Sequence, residues 1–288
     1  LVPDPLHLRE PDPTEAEPAE VTDAVELPEA ESHPEVVPKL RVLGTLRVDC
    51  IDGGFPLRKS VELIAYLALH RNGVEADAVM EALWPEEPPD NRRLNRHCSR
   101  TRTTLGKGPD GEFLFPYVAG GIYRLSPHLQ SDLEEFTALV RQADQTTSDE
   151  AAAEHLRGAL DLVEGPPFTA AGAGYTWAHT EGIITHAIVA VDDAAHRLAQ
   201  HALTKGDPEL ATWAARKGLV ATGACEECYR NLMRAAFADG NQVALEALYT
   251  ELLAIIDADE GPDTSTFLDP ETVELYEQLS QKRRRQAG

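Results

Sequence analysis

Arginine is concentrated in one short stretch of this chain, where its spacing could serve to bind nucleic acid. Residues 91–105 contain five arginines and no acidic residue, although Asp and Glu outnumber Lys and Arg by 49 to 26 in the whole sequence. A guanidinium group can form paired hydrogen bonds with a guanine edge or a phosphate, and an α-helix fits the major groove of DNA. The chemistry indicated is therefore recognition of a polyanion.

Helical spacing divides this stretch into two faces. One side is apolar at intervals of three and four residues, which predicts a surface that packs against a core; its members are Leu94, Cys98, Thr101 and Leu105. The candidate DNA-contacting residues occupy or flank the other face and are Arg92, Arg93, Arg96, Ser99, Arg100, Arg102 and Thr103. An alternative interpretation is a solvated basic helix that pairs with the acidic part of its own chain.

The segments before this helix are predicted to form a small sheet and two further helices. Short runs in which Leu and Val alternate with Arg, at 40–44 and 46–50, predict two strands. Asp52-Gly53-Gly54 supplies the positive-φ positions of a tight turn, after which we expect a third strand, Phe55 to Arg58. Apolar periodicity predicts three helices, at 59–70, 75–83 and 91–105.

A terminal hairpin is expected after the third helix. Phe113–Leu125 shows two short strand-like runs around Gly120-Gly121, and Arg124 at its end could reach a phosphate or the minor groove. A sheet, three helices and a hairpin in this order are typical of a winged helix. We therefore predict a small α+β winged-helix domain over residues 38–130, with Arg124 as the candidate contact of the wing.

Charge divides the chain into three parts. Residues 1–37 have a net charge of −10, residues 38–130 of +2 and residues 131–288 of −15. The first part alternates Pro, Ala and Glu with almost no aromatic content, which predicts an acidic disordered linker. Only the middle part is not repelled by phosphate.

The second half of the chain has helical periodicity throughout. Short connections such as Gly206-Asp207 and Gly240-Asn241 separate its apolar runs, which favours stacked helical hairpins. The predicted helices span 132–146, 150–163, 180–205, 208–220, 225–239, 243–258 and 271–284. The predicted fold class is mainly α, with the winged helix followed by an all-α helical-repeat domain over 131–280 and a basic tail over 281–288.

Ordered motifs across five-sixths of the chain resemble a known family. The motifs of the first half include Leu40-Arg41-Val42-Leu43-Gly44, Glu81-Ala82-Leu83-Trp84-Pro85, His97-Cys98-Ser99-Arg100-Thr101-Arg102 and Gly120-Gly121-Ile122-Tyr123-Arg124-Leu125. Those of the second half include Gly165-Pro166-Pro167-Phe168, Leu232-Met233-Arg234-Ala235 and Pro270-Glu271-Thr272-Val273-Glu274-Leu275-Tyr276. The chain resembles the Streptomyces antibiotic regulatory proteins, which have an OmpR-type winged helix followed by a TPR-like bacterial transcriptional activator domain.

The resemblance implies roles for particular residues and partners. It implies that Arg92, Arg96, Ser99, Arg100 and Thr103 enter the major groove of double-stranded DNA and that Arg124 acts in the wing. It places the loop Glu86–Asn91 where such regulators can contact RNA polymerase. It also implies that the helical domain mediates oligomerisation, as in a homodimer, or binds a protein partner.

The chain departs from the family pattern at two positions of the third helix. Family members usually have an aliphatic residue where Cys98 stands and a leucine where Thr101 stands. A hydroxyl at a core position costs about 1–3 kcal/mol unless it finds a hydrogen bond.

Other chemistry is not indicated by the sequence. Cys225 and Cys228 form a C-x-x-C pair, but a structural zinc site takes four ligands and no second pair follows, so we interpret them as structural cysteines. We find no nucleophile and base at credible spacing, and we predict a protein that is not an enzyme and has no metal, cofactor or small-molecule substrate. Four cysteines and the lack of an apolar run of roughly 20 residues predict a cytoplasmic segment. A membrane anchor preceding Leu1 would leave no trace in this segment.

The predicted function is thus a DNA-binding transcriptional regulator that reads the major groove through its arginine-rich third helix. The alternative is a protein–protein interaction module whose winged helix no longer binds DNA.

Overall fold

Two short antiparallel strands open the described part of the chain. The computed structural model describes residues 37–51, 54–55, 57–86, 90–118, 120–171, 174–260 and 268–287. Strand β1, Lys39–Arg41, pairs with β2, Arg47–Asp49, so that Leu40 lies opposite Val48. Apart from Val37, the predicted acidic linker lies outside the described residues.

Three helices follow and place the arginine-rich stretch on the outside of the first half. They are α1, Arg58–Leu69; α2, Ala76–Leu83; and α3, Asn91–Leu105. The predicted third strand is wrong, because Arg58 is already the first residue of α1 and Leu57 is its extended N-cap. The predicted turn residues Asp52 and Gly53 lie outside the described residues.

The predicted wing hairpin is also wrong in its pairing. Strand β4, Ile122–Tyr123, pairs with β3, Val74–Glu75, which precedes α2, and not with the residues around Phe113. Pro116 has no N–H group for a ladder, and its carbonyl and that of Phe115 accept hydrogen bonds from Arg102 instead. The segment that was predicted as one arm of the hairpin is therefore bound to α3. A backbone hydrogen bond from the Ser126 N–H to the Leu114 carbonyl, at 2.8 Å, joins it to the residue that follows the other arm.

The second half consists of helices joined by short loops. They are α4, Asp132–Gln145; α5, Asp149–Asp161; α6, Thr176–Thr180; α7, Ile183–Lys205; α8, Pro208–Thr222; α9, Glu226–Ala238; α10, Gln242–Glu260; and α11, Pro270–Ala287. The sequence predicted one helix over 180–205. In the structure this stretch is interrupted at Gly182, which has a φ of 73° and is the N-cap of α7.

These helices pack as a stack of hairpins. Helix α4 packs against α5, α7 against α8, and α9 against α10, while α5 with α7 and α8 with α9 join neighbouring hairpins. The stack encloses two apolar clusters, of which one is rich in alanine from α7 and α8 and the other is formed by α8 to α11. The predicted fold class, mainly helical with a small strand-containing first part, is confirmed. Within the described residues, no helix is long and apolar enough to cross a membrane.

The core of the first half is completed by residues of the second. Leu63 and Leu94 share one buried cluster with Phe168, Trp177 and Ile184. Trp177 packs edge-on against the ring of Tyr66 in α1, with ring centroids 4.9 Å apart. Burial of large aromatic side chains contributes much to the stability of a core, so the first half depends on the second for part of its core.

Hydrogen bonds join the same two halves. The buried carboxylate of Asp132 accepts from the backbone N–H groups of Val42 and Leu43, at 2.9 and 3.1 Å. The buried carboxylate of Glu62 accepts from the N–H of Tyr175 at 3.1 Å. These contacts fix the strands and α1, and through α1 the position of α3, relative to the helical stack.

The hydroxyl of Thr101, which the sequence places on the core-facing side of α3, has a hydrogen-bond partner. Thr101 Oγ1 lies 2.8 Å from Ser60 Oγ of α1, and both residues are completely buried. Cys98, the other departure from the family pattern, is buried as well, and burial raises the pKa of its thiol to about 11. Both departures are thus buried in the core of the first half.

The buried pair of hydroxyls predicts a recoverable loss of stability. We expect Ser60→Ala to lower the free energy of unfolding by about 1–3 kcal/mol, because it leaves the Thr101 hydroxyl buried without a partner. Adding Thr101→Val should restore most of that loss, since it removes the orphaned hydroxyl and keeps the shape. Urea unfolding of both variants measures this effect, with Thr103→Val on the exposed face as control. Losses that simply add in the double variant would contradict it.

Candidate nucleic-acid interface

Helix α3 presents the basic face that its sequence predicts. Leu94, Cys98 and Leu105 are buried, as expected. Most of the candidate contact residues are exposed to solvent: Arg92, Arg93, Arg96, Ser99, Arg100 and Thr103. A face of about three helical turns therefore combines guanidinium and hydroxyl groups with no acidic side chain.

The exposed arginines of α3 are not neutralised by the rest of the described chain. None of Arg92, Arg93, Arg96 and Arg100 has a side-chain hydrogen bond or ion pair with any described residue. Acidic residues of the second half that form ion pairs use other cations, such as Glu134 with Arg71 and Glu164 with Arg47. Within the described residues, the helix is not paired with its own acidic domain.

The start of α3 is fixed by capping and by an aromatic contact. The carboxylate of Asp90 accepts from the backbone N–H of Arg93 at 2.8 Å, which satisfies one of the free donors of the first turn. Trp84, at the end of α2, packs on the ring of His97 with centroids 5.2 Å apart, and Lys59 lies over the same indole. These contacts orient α3 relative to α2. Residues 87–89 of the predicted polymerase-contact loop lie outside the described residues.

His97 does not add charge to this basic face at neutral pH. Burial lowers the pKa of His97, and the positive charges of Arg93 and Arg100 lower it further. The imidazole is therefore neutral near pH 7 and serves to pack against Trp84.

Arg102 requires a correction to the predicted contact set. The sequence placed it beside the exposed face, but its side chain is buried and its Nε and Nη2 donate to the carbonyls of Phe115 and Pro116, at 2.7 and 3.1 Å. Its guanidinium also lies over the ring of Tyr117, 4.1 Å from the centroid. A group held in this way is not free to reach DNA, so Arg102 positions the segment that follows α3.

The residues predicted to form the wing lie at the opposite end of that segment. Gly120 and Gly121 both have positive φ, and the chain then enters β4 with Tyr123 buried. Arg124 is exposed, and its side chain lies over Gly73, where any Cβ would collide with it. The structure therefore leaves the Arg124 side chain on the surface, next to the turn between α1 and β3.

Two exposed residues were missed in the sequence analysis. Asn95 lies on the same exposed face as Arg92 and Ser99, and its helical spacing could have identified it. An asparagine amide can pair with an adenine edge. Tyr117 is 72% exposed beside Arg102, but no spacing rule could have predicted this, because its segment was expected to be a strand.

Comparison with known proteins gives a family match and a structural match. The family model described as bacterial transcriptional activator domain matches residues 131–279. No curated protein sequence matches the chain. The structure of Mycobacterium tuberculosis EmbR in complex with a low affinity phosphopeptide is similar over 85% of this chain, with 23% identity and a TM-score of 0.58. This chain spans 65% of the EmbR chain. At this identity, the structural likeness shows a shared fold and nothing further.

Proposed function

The chain belongs to the bacterial transcriptional activator domain family, and on that premise we propose that it is a transcriptional regulator that binds double-stranded DNA through α3. The observation that carries the proposal is the exposed, unpaired set of arginines on that helix. In a chain with a net charge of −23, a cationic face without described counterions is suited to bind an anionic partner.

The chemistry of the face suits the major groove. Arg96 and Arg100 are one turn apart, so both side chains can reach neighbouring base edges. Each can pair with O6 and N7 of a guanine, while the Asn95 amide can pair with an adenine. Arg92 and Arg93 in the first turn, with Ser99 and Thr103 along the face, would bind phosphates and set the register of the helix.

The wing and the helical stack complete this proposal. Arg124 would contact a phosphate or the minor groove beside the site of α3. The stack would mediate oligomerisation, as in a homodimer, or contact a protein partner, and the loop Glu86–Asn91 would reach RNA polymerase. Because the stack also completes the core of the first half, binding at either part can affect the other through shared contacts such as those of Asp132.

A salt titration tests the electrostatic basis of DNA binding. We expect the wild-type chain to bind a labelled random-sequence duplex with an affinity that falls steeply as salt rises. The logarithm of the binding constant should change by about −0.9 for each phosphate neutralised, per unit of log salt concentration. Fluorescence anisotropy at several salt concentrations measures this slope. Absence of binding at low salt, or an affinity that does not change with salt concentration, would contradict the proposal.

A groove in the helical stack favours a second candidate function, that of a protein-interaction module. Helices α8, α9 and α10 enclose a groove of about 530 Å³, with Trp213, Leu232 and Leu248 on its walls. Arg216 and Glu251 at its side could orient a bound peptide. If the winged helix did not bind DNA, this groove would carry the function. Partner binding that depends on Trp213 and not on Arg96 would then be observed, with no affinity for any duplex.

A further inference from the structure

Two thiols and a carboxylate meet at the start of α9. Asp192, in the middle of α7, has its Oδ1 2.9 Å from Cys225 Sγ and 3.2 Å from Cys228 Sγ. All three potential ligand atoms lie within 4.8 Å of one another. The cluster is separate from α3 and from the groove of the helical stack.

Three helices build this cluster. Cys225 is the N-cap of α9, and its sulfur accepts from the backbone N–H of Cys228 at 3.1 Å. Gly218 of α8 leaves the space for the second sulfur, since a Cβ there would lie 2.6 Å from Cys228 Sγ. Any side chain at position 218 would therefore displace the thiol from Asp192.

We propose that Asp192, Cys225 and Cys228 form a binding site for a zinc ion. Thiolate sulfur and carboxylate oxygen are both good Zn²⁺ ligands, and sites with three protein ligands take water as the fourth. Cys228 is buried, while Cys225 is only partly buried, so an ion can reach the site from the Cys225 side. On binding, each thiol releases its proton to solvent and forms one Zn–S bond.

The distances fit this ion after small side-chain movements. With Zn–S bonds of about 2.3 Å and a Zn–O bond of about 2.0–2.2 Å, tetrahedral ligand atoms lie roughly 3.5–3.8 Å apart. The separations of 2.9 and 3.2 Å between the thiols and the carboxylate differ from that by less than 1 Å.

The third ligand, Asp192, could not be recognised from the sequence. Counting along the chain gives only the C-x-x-C pair, which was interpreted as structural, because Asp192 lies 33 residues before Cys225. His196, one turn further along α7, already contacts Glu227 and Asn231, and we assign it no role as a ligand. A bound ion would link α7 to α9 and so stabilise the stack.

Cobalt binding tests the site with a direct spectroscopic readout. The full chain, reduced and freed of metal with a chelator, should bind one Co²⁺ with thiolate-to-cobalt charge-transfer absorption, and Zn²⁺ should abolish that band. Zn²⁺ should also raise the thermal unfolding midpoint of the wild type. We expect Cys228→Ser to lose the band and Asp192→Asn to weaken cobalt binding. Cys50→Ser, at an exposed cysteine outside the cluster, should behave as wild type.

Three results would overturn the zinc site. One is a reduced wild-type chain that binds neither ion. Another is metal binding that persists unchanged in Cys228→Ser and in Asp192→Asn. The third is a chain that binds neither ion and readily forms a Cys225–Cys228 disulfide with a mild oxidant, which would identify a redox dithiol. Circular dichroism of each variant shows whether it has folded, and the conservative Cys225→Ser gives a second test if Cys228→Ser does not fold.

Discussion

Replacing Arg96 and Arg100 together by alanine is expected to remove most of the DNA affinity of this chain while leaving its fold intact. Both side chains are exposed on α3 and have no ion pair within the described residues, so the change removes no contact that stabilises the protein. Exposed substitutions of this kind usually alter the free energy of unfolding by less than about 0.5 kcal/mol. The effect should therefore fall on binding alone.

The magnitude follows from the hydrogen bonds that each arginine can make. A well-placed bidentate contact with a guanine contributes about 1–3 kcal/mol. Losing two such contacts costs about 2–6 kcal/mol, which is roughly a 30-fold to 20,000-fold weaker Kd. If both side chains instead bind only phosphates, affinity should fall uniformly over all sequences, and the salt slope should drop by about one for each arginine removed.

Fluorescence anisotropy measures this loss and identifies its kind, with a duplex recovered by selection on the wild type and a scrambled version of it. The matched control is Arg141→Ala, which removes an exposed arginine of α4, far along the chain from the basic face. This control should bind DNA as the wild type does, apart from a small effect of net charge. Equal affinity of wild type and double variant, with both folded, would contradict a reading role for α3.

Replacing Arg102 by alanine is expected to act in the opposite way, by lowering stability. The buried guanidinium donates to the carbonyls of Phe115 and Pro116 and lies over the rings of Phe115 and Tyr117. Hydrogen bonds from charged groups contribute about 1.5–3 kcal/mol each, and the buried Phe115 carbonyl would lose its partner. We expect the free energy of unfolding to fall by about 2–5 kcal/mol.

Urea unfolding of Arg102→Ala, with Arg100→Ala as its matched control on the same helix, measures this difference. Arg102→Lys should recover little, because an ammonium group lacks the planar fork that reaches both carbonyls. Hydrogen exchange should rise first around Leu114 and Ser126, whose backbone pairing closes this segment. An Arg102→Ala variant that is as stable as wild type but fails to bind DNA would restore Arg102 to the contact set.

The helices were predictable from the sequence because their apolar spacing and end residues are local signals. Helix α3 begins and ends where the sequence predicts, at Asn91 and Leu105. The strands were harder to predict, since each spans only two or three residues. The partner of β4 precedes α2, more than 40 residues away, and no local pattern gives that pairing.

The sequence predicted which face of α3 is basic, but it did not predict which residues at the border of that face are buried. Position 102 lies at the border between the buried and exposed sides of α3, where periodicity cannot decide, and its long side chain reaches carbonyls that the sequence does not reveal. The partner of Thr101 is likewise 41 residues away in α1. The sequence indicated that the Thr101 hydroxyl is buried, and only the packing of α1 against α3 shows which group it bonds to.

The halves of the chain are also less separate than their sequence patterns indicate. The domain boundary at residue 130 was predicted from a change of periodicity and charge, and it remains a prediction. Across it, Trp177 and Phe168 complete the core that holds α1 and α3. Because periodicity and charge are properties of neighbouring residues, they cannot reveal a core shared by segments so far apart in the chain.

The central claim, that α3 reads DNA, is tested most directly by selection from a library of random-sequence duplexes. Wild-type chain and the Arg96→Ala, Arg100→Ala variant are carried through the same rounds at the same salt concentration. The structure predicts that the wild type enriches one short motif and that the variant enriches none. Failure of the wild type to enrich any motif, or the same motif recovered with both proteins, would contradict the claim.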